Sequence, residues 1–485
     1  MLKEPSALRA WRNRMGWSRD EAADQLNLKR DTYKKLENGQ REVTARIAAD
    51  VARLEQLGAG KTQSALRLKP EGAEVHVVGG GTIVHVRNHL ALAAPAYGST
   101  AREIAGICAR AGRATRLTLT RMADPSSPYE SNDDMARLAD EIVAEKSTRI
   151  VFWNPAICDF TGQVGNVKPG RKAMRLKTGD GATAMKLTPA EKIVAMIRDK
   201  RKDIFLVAFK TTTGATEDEM YVAGLQLMKG SHINLVLVND VVTRNNMVVT
   251  PEEARYHVTR ERVEALEGLV EMALLRSHAT FTRSEVVARS KGVPWSSALI
   301  DNNLREVVEH CIKRSAYKPV RTRAHGAVTA GHFAVRGPKG TIITSKRWSN
   351  FNDLKKTGMV RIEPVGQDKV ISYGGKPSVG GQSQRIIFAD HPDLDNIVHF
   401  HCPLRDNAPD KVSIRSQRPY ECGSHECGKN TSDGLREIED GIWAVMLDQH
   451  GPNIVFRRDV PSARVIDMIE RNFDLRAKTG GSVEL

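Results

Sequence analysis

The sequence predicts a multidomain α/β chain: a small all-α module at the amino end, a central parallel sheet, and a carboxy-terminal three-layer α/β/α unit. Three observations predict it. The 485 residues correspond to about three domains at ~150 residues each. The first 70 residues carry 15 Lys/Arg against 9 Asp/Glu and show only helical apolar spacing. From Glu74 short apolar strands alternate with helical segments, and from about Val320 strands separated by glycine-rich turns dominate. The expected units are 1–62, 72–255, a helical connector over 256–319, and 320–485.

Composition narrows the function classes. Apolar residues are 40% and charged residues 27%, which is ordinary globular usage and excludes a collagen-like or mostly disordered chain. The longest apolar runs, such as Ile204 to Phe209 and Leu235 to Val238, fall far short of the ~20 residues of a membrane span. The first residues lack the apolar core of a signal peptide, so a cytoplasmic protein with no membrane partner is expected. Six cysteines are too few for a disulfide scaffold. The formal charge of +15 admits a polyanionic partner.

In the basic module, Leu8, Trp11 and Met15 recur at helical spacing. Ser18 with Glu21 reads as a capping box opening a second helix, Arg19 to Leu26. A third helix is expected over about Lys29 to Asn38, closed by Asn38-Gly39. GAGKTQS, after Leu57, reads as a linker. The stretch LRAWRNRMGWSRDEAADQLNLKRDTYKKLENGQR resembles the Cro/repressor-type helix-turn-helix family. That resemblance implies DNA as partner, with Lys29, Arg30, Thr32 and Lys34 near phosphates or base edges, and at least a dimer.

Five strands are expected in the next unit: EVHVV, RLTLT, RIVFW, DIFLVAF and INLVLVN. Helices are expected over Thr100 to Ala111, Asn132 to Lys146 and Glu217 to Lys229. The first strand runs into Gly79, Gly80, Gly81 and Thr82, a turn that lets backbone approach a phosphate. With NPAICDF, RLKTG, IFLVAFKTTT and VLVND following in order, the series resembles the phosphopantothenoylcysteine synthetase domain of coenzyme A biosynthesis. The resemblance implies a Rossmann-like sheet and CTP or another nucleotide. It carries Gly80, Gly81, Thr82, Asp159, Lys177, Phe209 and Asn239 over as nucleotide-binding residues. The family's catalytic asparagine is replaced by Ala91, and the glutamate of its "E-T" pair by Thr212.

The clearest site chemistry comes last. His399 and His401 lie two apart on a strand, hence on one face, and His450 closes another strand. Three imidazoles with an open position can bind a divalent ion that polarises a carbonyl or enediolate oxygen. GHFAV, TIITSK, KPSVGG, HFHCP and LDQHG together resemble the class II aldolase and adducin-like family. That resemblance implies a class II aldolase-like fold with His399, His401 and His450 as ligands, usually of zinc. It also implies a substrate phosphate at Ser345 and Ser378 and a dimeric or tetrameric homo-oligomer. The family's catalytic acid position holds Gly380, and its phosphate-loop asparagine is His332. Glu426 and Asp433 are the candidate catalytic replacements, with Glu421 and His425 nearby. A rival metal grouping is Cys402, Cys422, His425 and Cys427.

The combined expectation is a metal-dependent lyase or epimerase acting on a small phosphorylated metabolite, fused to a nucleotide-binding unit and a DNA reader. The first alternative is a ligand-sensing transcriptional regulator whose enzyme-like units are catalytically degenerate. The second is a phosphopantothenate–cysteine ligase-like enzyme.

Overall fold

The structure, a computed structural model, describes residues 28–44, 73–322, 326–366, 369–379 and 381–480, with isolated positions between 8 and 51. The Ser18–Glu21 capping box, the GAGKTQS linker and Gly380 lie outside the described residues. Near the amino end a helix spans Arg30–Glu37. Its buried Tyr33 and Leu36 pack on Leu8, Trp11, Ala22, Ala23, Leu26 and Val51. The buried Glu37 carboxylate accepts from Arg12 Nε at 2.7 Å and Arg19 Nε at 2.5 Å, so it tethers this helix to the preceding segment.

The middle unit is a seven-stranded sheet. Its five parallel strands are Val75–Gly81, Thr115–Leu119, Ile150–Ala156, Phe205–Thr212 and Leu235–Asp240, the five segments the sequence marks. Numbered along the chain they lie side by side as 2-1-3-4-5, a doubly wound order with its switch point between the first and third. The alternation is visible residue by residue. Val75, Val77, Ile150, Phe152, Val207 and Leu237 face the helices Ser99–Arg110 and Arg262–Arg276. Val78, Val151, Trp153, Leu206 and Val236 face Asn132–Ala144, Ile193–Lys200 and Glu217–Ser231. Two antiparallel strands, Asn246–Val249 and Arg255–Thr259, extend the edge.

The carboxy-terminal unit is a ten-stranded, mainly antiparallel sheet. Asn302–Lys313 and Ser462–Asn472 cover one face, and Gly381–Asp390 and His425–Gly434 the other. This is the expected three-layer arrangement. No helix among the described residues is long and apolar enough to cross a membrane.

The expected helical connector is different in the structure. Arg262–Arg276 completes the core of the middle sheet, and Asn302–Lys313 packs in the core of the carboxy-terminal one. Between them Arg283–Val286 pairs in parallel with Lys369–Tyr373. Every residue of that edge strand is exposed, so it carries no apolar alternation to mark it.

A buried ionic cluster joins the two sheets. Arg276 binds Glu252 at 2.7 Å and Glu421 at 3.4 Å, all three being buried. Glu421 also accepts from Asn234 Nδ2 at 2.9 Å. Burial raises the Glu421 carboxyl from 4.5 to about 7, against the opposing pull of Arg276. Folding therefore takes up a proton at this group. The associated stabilisation is complete below about pH 4.5 and is lost as pH rises through about 7. Thermal melts of the Glu421→Gln variant should match the parent near pH 5 and exceed it at pH 8. An unchanged difference between the two pH values would refute the assignment.

Candidate metal centre

His399 ends the strand Asn396–His399, and His401 follows two residues on. His450 sits in the turn between Ile442–Leu447 and Gly451–Phe456, strands that pair directly. Because Asn396–His399 pairs with Gly451–Phe456, the three imidazoles meet. One ligand atom from each lies within 4.8 Å of the others, and the ring centroids stand 4.7–5.1 Å apart. A tetrahedral ion with Zn–N of ~2.0–2.1 Å needs its nitrogens roughly 3.4 Å apart, so the rings would have to close inward to hold one.

The hydrogen bonds fit ligation. His399 Nδ1 donates to Pro452 O at 2.8 Å, and His450 Nδ1 donates to Gln417 Oε1 at 2.6 Å, leaving each Nε2 unprotonated. Fixing one ring nitrogen by an outer partner is how metal-binding imidazoles are oriented. His401 Nδ1 is buried without a partner, a cost of ~1–3 kcal/mol that a metal bond removes. Burial holds all three rings neutral: His399 and His401 lie well below 6.5, and His450 falls to about 3, lowered further by the neighbouring His332. Neutral, buried nitrogen donors fit a divalent transition ion such as zinc.

Sequence reasoning missed His332 as part of this group. It pairs opposite His399 across adjacent strands, and the two rings stack at 4.7 Å. Gln384 Nε2 donates to its Nδ1 at 2.9 Å. A histidine 67 positions away in sequence gives no local signal; only strand register brings it there.

Ser345 and Ser378 are brought together: Ser378 N donates to Ser345 O at 3.0 Å. Ser345 is buried and next to the histidines in the fold, since its hydroxyl accepts from the amide of Phe333, the neighbour of His332. Glu426 and Asp433 are engaged elsewhere. The Glu426 carboxylate accepts from Thr280 N at 3.1 Å and Thr280 Oγ1 at 2.9 Å. Asp433 is exposed and pairs with Lys429 at 3.0 Å. Neither takes part in the histidine group. The rival grouping of Cys402, Cys422, His425 and Cys427 does not assemble. Among the described residues only the three histidines form a ligand cluster. Cys402 Sγ instead donates to Ala316 O at 3.5 Å, and Cys427 Sγ accepts from Gln417 Nε2 at 3.4 Å.

Of the candidate nucleotide residues, Gly80, Gly81, Thr82, Phe209 and Asn239 stand at the carboxyl ends of the middle sheet's strands, Asp159 follows the strand Ile150–Ala156, and Lys177 lies in the segment between the hairpin strands Phe160–Val164 and Met185–Pro189. Gly80 and Gly81 end the first strand at the switch point. Their room is filled by protein: a Cβ on Gly80 would meet Thr120 Oγ1 at 2.2 Å, and one on Gly81 would meet Ala94 O at 2.0 Å. The amides of Gly81 and Thr82 donate to Ala96 O and Ala156 O. These two donors are already spent, so the turn differs from an open phosphate cradle. Thr82 Oγ1 accepts from Cys158 N at 2.9 Å and donates to Asn132 Oδ1 at 2.7 Å. Asp159 and Lys177 are exposed, while Phe209 and Asn239 are half-buried at neighbouring strand ends. Asp240, beside Asn239, does the structural work there. Its carboxylate accepts from the amides of Gly214, Ala215, Val242 and Thr243, and these bonds hold it well below the usual range against the cost of desolvation.

At the amino end, Lys29, the N-cap of the helix, and Arg30 and Lys34 are exposed and Thr32 is half-buried, while Tyr33 and Leu36 are buried. Residues 8–54 match the helix-turn-helix family. No curated protein matches the chain. Among solved structures the chain is similar to the DNA/pantothenate metabolism flavoprotein from Streptococcus pneumoniae, at 17% identity over 42% of this chain and 96% of that one, TM-score 0.34. It is also similar to the C-terminal domain of the coenzyme A biosynthesis bifunctional protein CoaBC, at 12% identity, 42% and 96% coverage, TM-score 0.32. A third is YgbL from Escherichia coli, a candidate aldolase/epimerase/decarboxylase, at 15% identity, 34% and 83% coverage, TM-score 0.26. The helix-turn-helix match coincides with the resemblance that the sequence shows at the amino end.

The purified chain should take up one zinc ion, and His399→Ala should abolish it. Because the imidazoles are already neutral, zinc affinity measured by chelator competition should stay nearly constant from pH 8 to about pH 5. A loss of affinity beginning near pH 6.5 would mean ordinary, exposed histidines.

Proposed function

We propose that the chain is a DNA-binding regulator whose carboxy-terminal unit senses a small phosphorylated carbonyl compound through a divalent metal, best fitted by zinc. The reading is carried by the buried trihistidine group beside the Ser345–Ser378 pair. A bound metal would supply Lewis acidity toward a carbonyl oxygen. The serine loop would receive the phosphate, and Lys29, Arg30, Thr32 and Lys34 would face DNA. Sensing is preferred over turnover because Glu426 and Asp433 are held by other partners and Gly380 has no carboxyl. A general base must lie within hydrogen-bond reach of the proton it takes.

Lyase or epimerase turnover is the second reading. Its support is that three ligands leave a fourth position open, as in catalytic zinc sites. A ligase role for the middle unit finds no support. Ala91 lies opposite His85 in an antiparallel hairpin and has no polar group to offer.

DNA affinity should fall linearly with log salt, and replacing Lys29 or Lys34 by alanine should lower the slope by about 1 each. Dihydroxyacetone phosphate should change the affinity of the zinc-loaded chain for its selected DNA, and His401→Ala should remove that response. Retro-aldol turnover of a ketose phosphate, lost in the same variant, would replace sensing by catalysis. Salt-independent DNA binding would reject the DNA reading.

A further inference from the structure

We propose that the middle unit positions the third histidine: Arg276, at the end of the helix Arg262–Arg276, acts through Gln417 on His450 and so tunes metal affinity in the other unit. The proposal rests on the metal reading of His399, His401 and His450.

His399 is fixed by strand pairing on both sides, with His332 and Asn453 directly opposite it. His450 has less support, because it lies in a turn and its ring is held by the Gln417 side chain at 2.6 Å. Gln417 is itself in a stretch without regular structure, just beyond the short strand Ser413–Arg415. Something other than the sheet must hold it. Its side-chain amide is oriented by donation to Cys427 Sγ at 3.4 Å. Its backbone carbonyl accepts from Arg276 Nη2 at 3.3 Å, and the next carbonyl, Arg418 O, accepts from Arg276 Nε at 2.9 Å.

A guanidinium has five N–H donors in a fixed plane. Those of Arg276 go to Gln417 O, Arg418 O, Glu421 and, twice, to Glu252. Glu252 belongs to the middle unit and is buried, so the plane is anchored on that side by a bidentate pair. Two further ties reach the same turn. Arg255 N donates to Gln449 Oε1 at 3.0 Å, one residue from His450. Thr479 Oγ1 donates to His450 O at 2.6 Å, while its neighbour Lys478 pairs with Glu253 of the middle unit. The residues 252–276 thus grip the His450 turn from the outside.

The test is zinc affinity of the full-length chain by chelator competition, with the visible spectrum of the cobalt(II)-loaded form. Gln417→Leu should lower affinity ~10–100-fold, the range for loss of an outer partner of a metal-binding histidine. Arg276→Lys keeps the charge but cannot supply five planar donors, and it should cost about tenfold and shift the cobalt bands. The double variant should bind as weakly as Gln417→Leu alone, because Arg276 acts through that residue. Losses that multiply in the double variant, or an Arg276→Lys protein with parental affinity and spectrum, would overturn the proposal. If Arg276→Lys does not fold, Glu252→Gln, which loosens only the anchor, should give a few-fold loss, and parental affinity there would also overturn it. A parent chain that binds no zinc would instead overturn the metal reading beneath it.

Discussion

The Arg276 guanidinium is the interaction on which the arrangement of the two sheets depends. It is fully buried, and it ends a helix whose apolar face completes the middle sheet. Its donors reach across to the loop that carries Gln417 and Glu421. Burying a charge is costly unless every donor is met. Here each is, so the cluster tolerates burial only in one relative placement of the two units. Removing Glu252, its bidentate partner, would leave an unpaired charge inside, at a cost of about 3–5 kcal/mol. Shape alone would permit sliding; the planar donor set does not.

The histidine group shows a second consequence of burial. Polar atoms left without partners are rare in folded proteins, yet His401 Nδ1, Gln384 Oε1 and Asn453 Oδ1 all lie at or beside this group. Desolvation keeps the imidazoles neutral, and strand pairing keeps them close, so the donors are arranged before any ligand arrives. The neighbouring cluster of Lys229, Lys478 and Glu253 is of the opposite kind. Burial alone would raise the Glu253 carboxyl, but its two ammonium partners hold it at about 2. There the charge is compensated by two ammonium groups, whereas the histidines stand neutral.

Much of this was legible in the sequence because apolar periodicity is local. Ile150 to Trp153 and Leu235 to Val238 are unbroken apolar runs, as strands buried on both faces must be, and the parallel sheet followed from them. The pair His399 and His401 was legible for the same reason, since a two-residue spacing places both on one face. What escaped is long-range. The strand Arg283–Val286 is an exposed edge and shows no alternation. His332 enters the group only through its register with His399, and Arg276 meets Gln417 across 141 residues. The glycines at 79–81 look like a phosphate turn, but the alanines and threonine packed against them explain the missing side chains equally well. Chemistry guessed from proximity along the chain failed for Glu426, because its carboxylate is taken up by Thr280 from a distant segment.

The chemistry of the carboxy-terminal unit turns on the three histidines as the ligands of a divalent ion. X-ray absorption at the zinc edge of the full-length, zinc-loaded chain tests this most directly. The predicted result is a shell of nitrogen or oxygen neighbours at ~2.0–2.1 Å with the outer scattering of three imidazoles. A sulfur shell at ~2.3 Å, placing the metal on the cysteines, would contradict it.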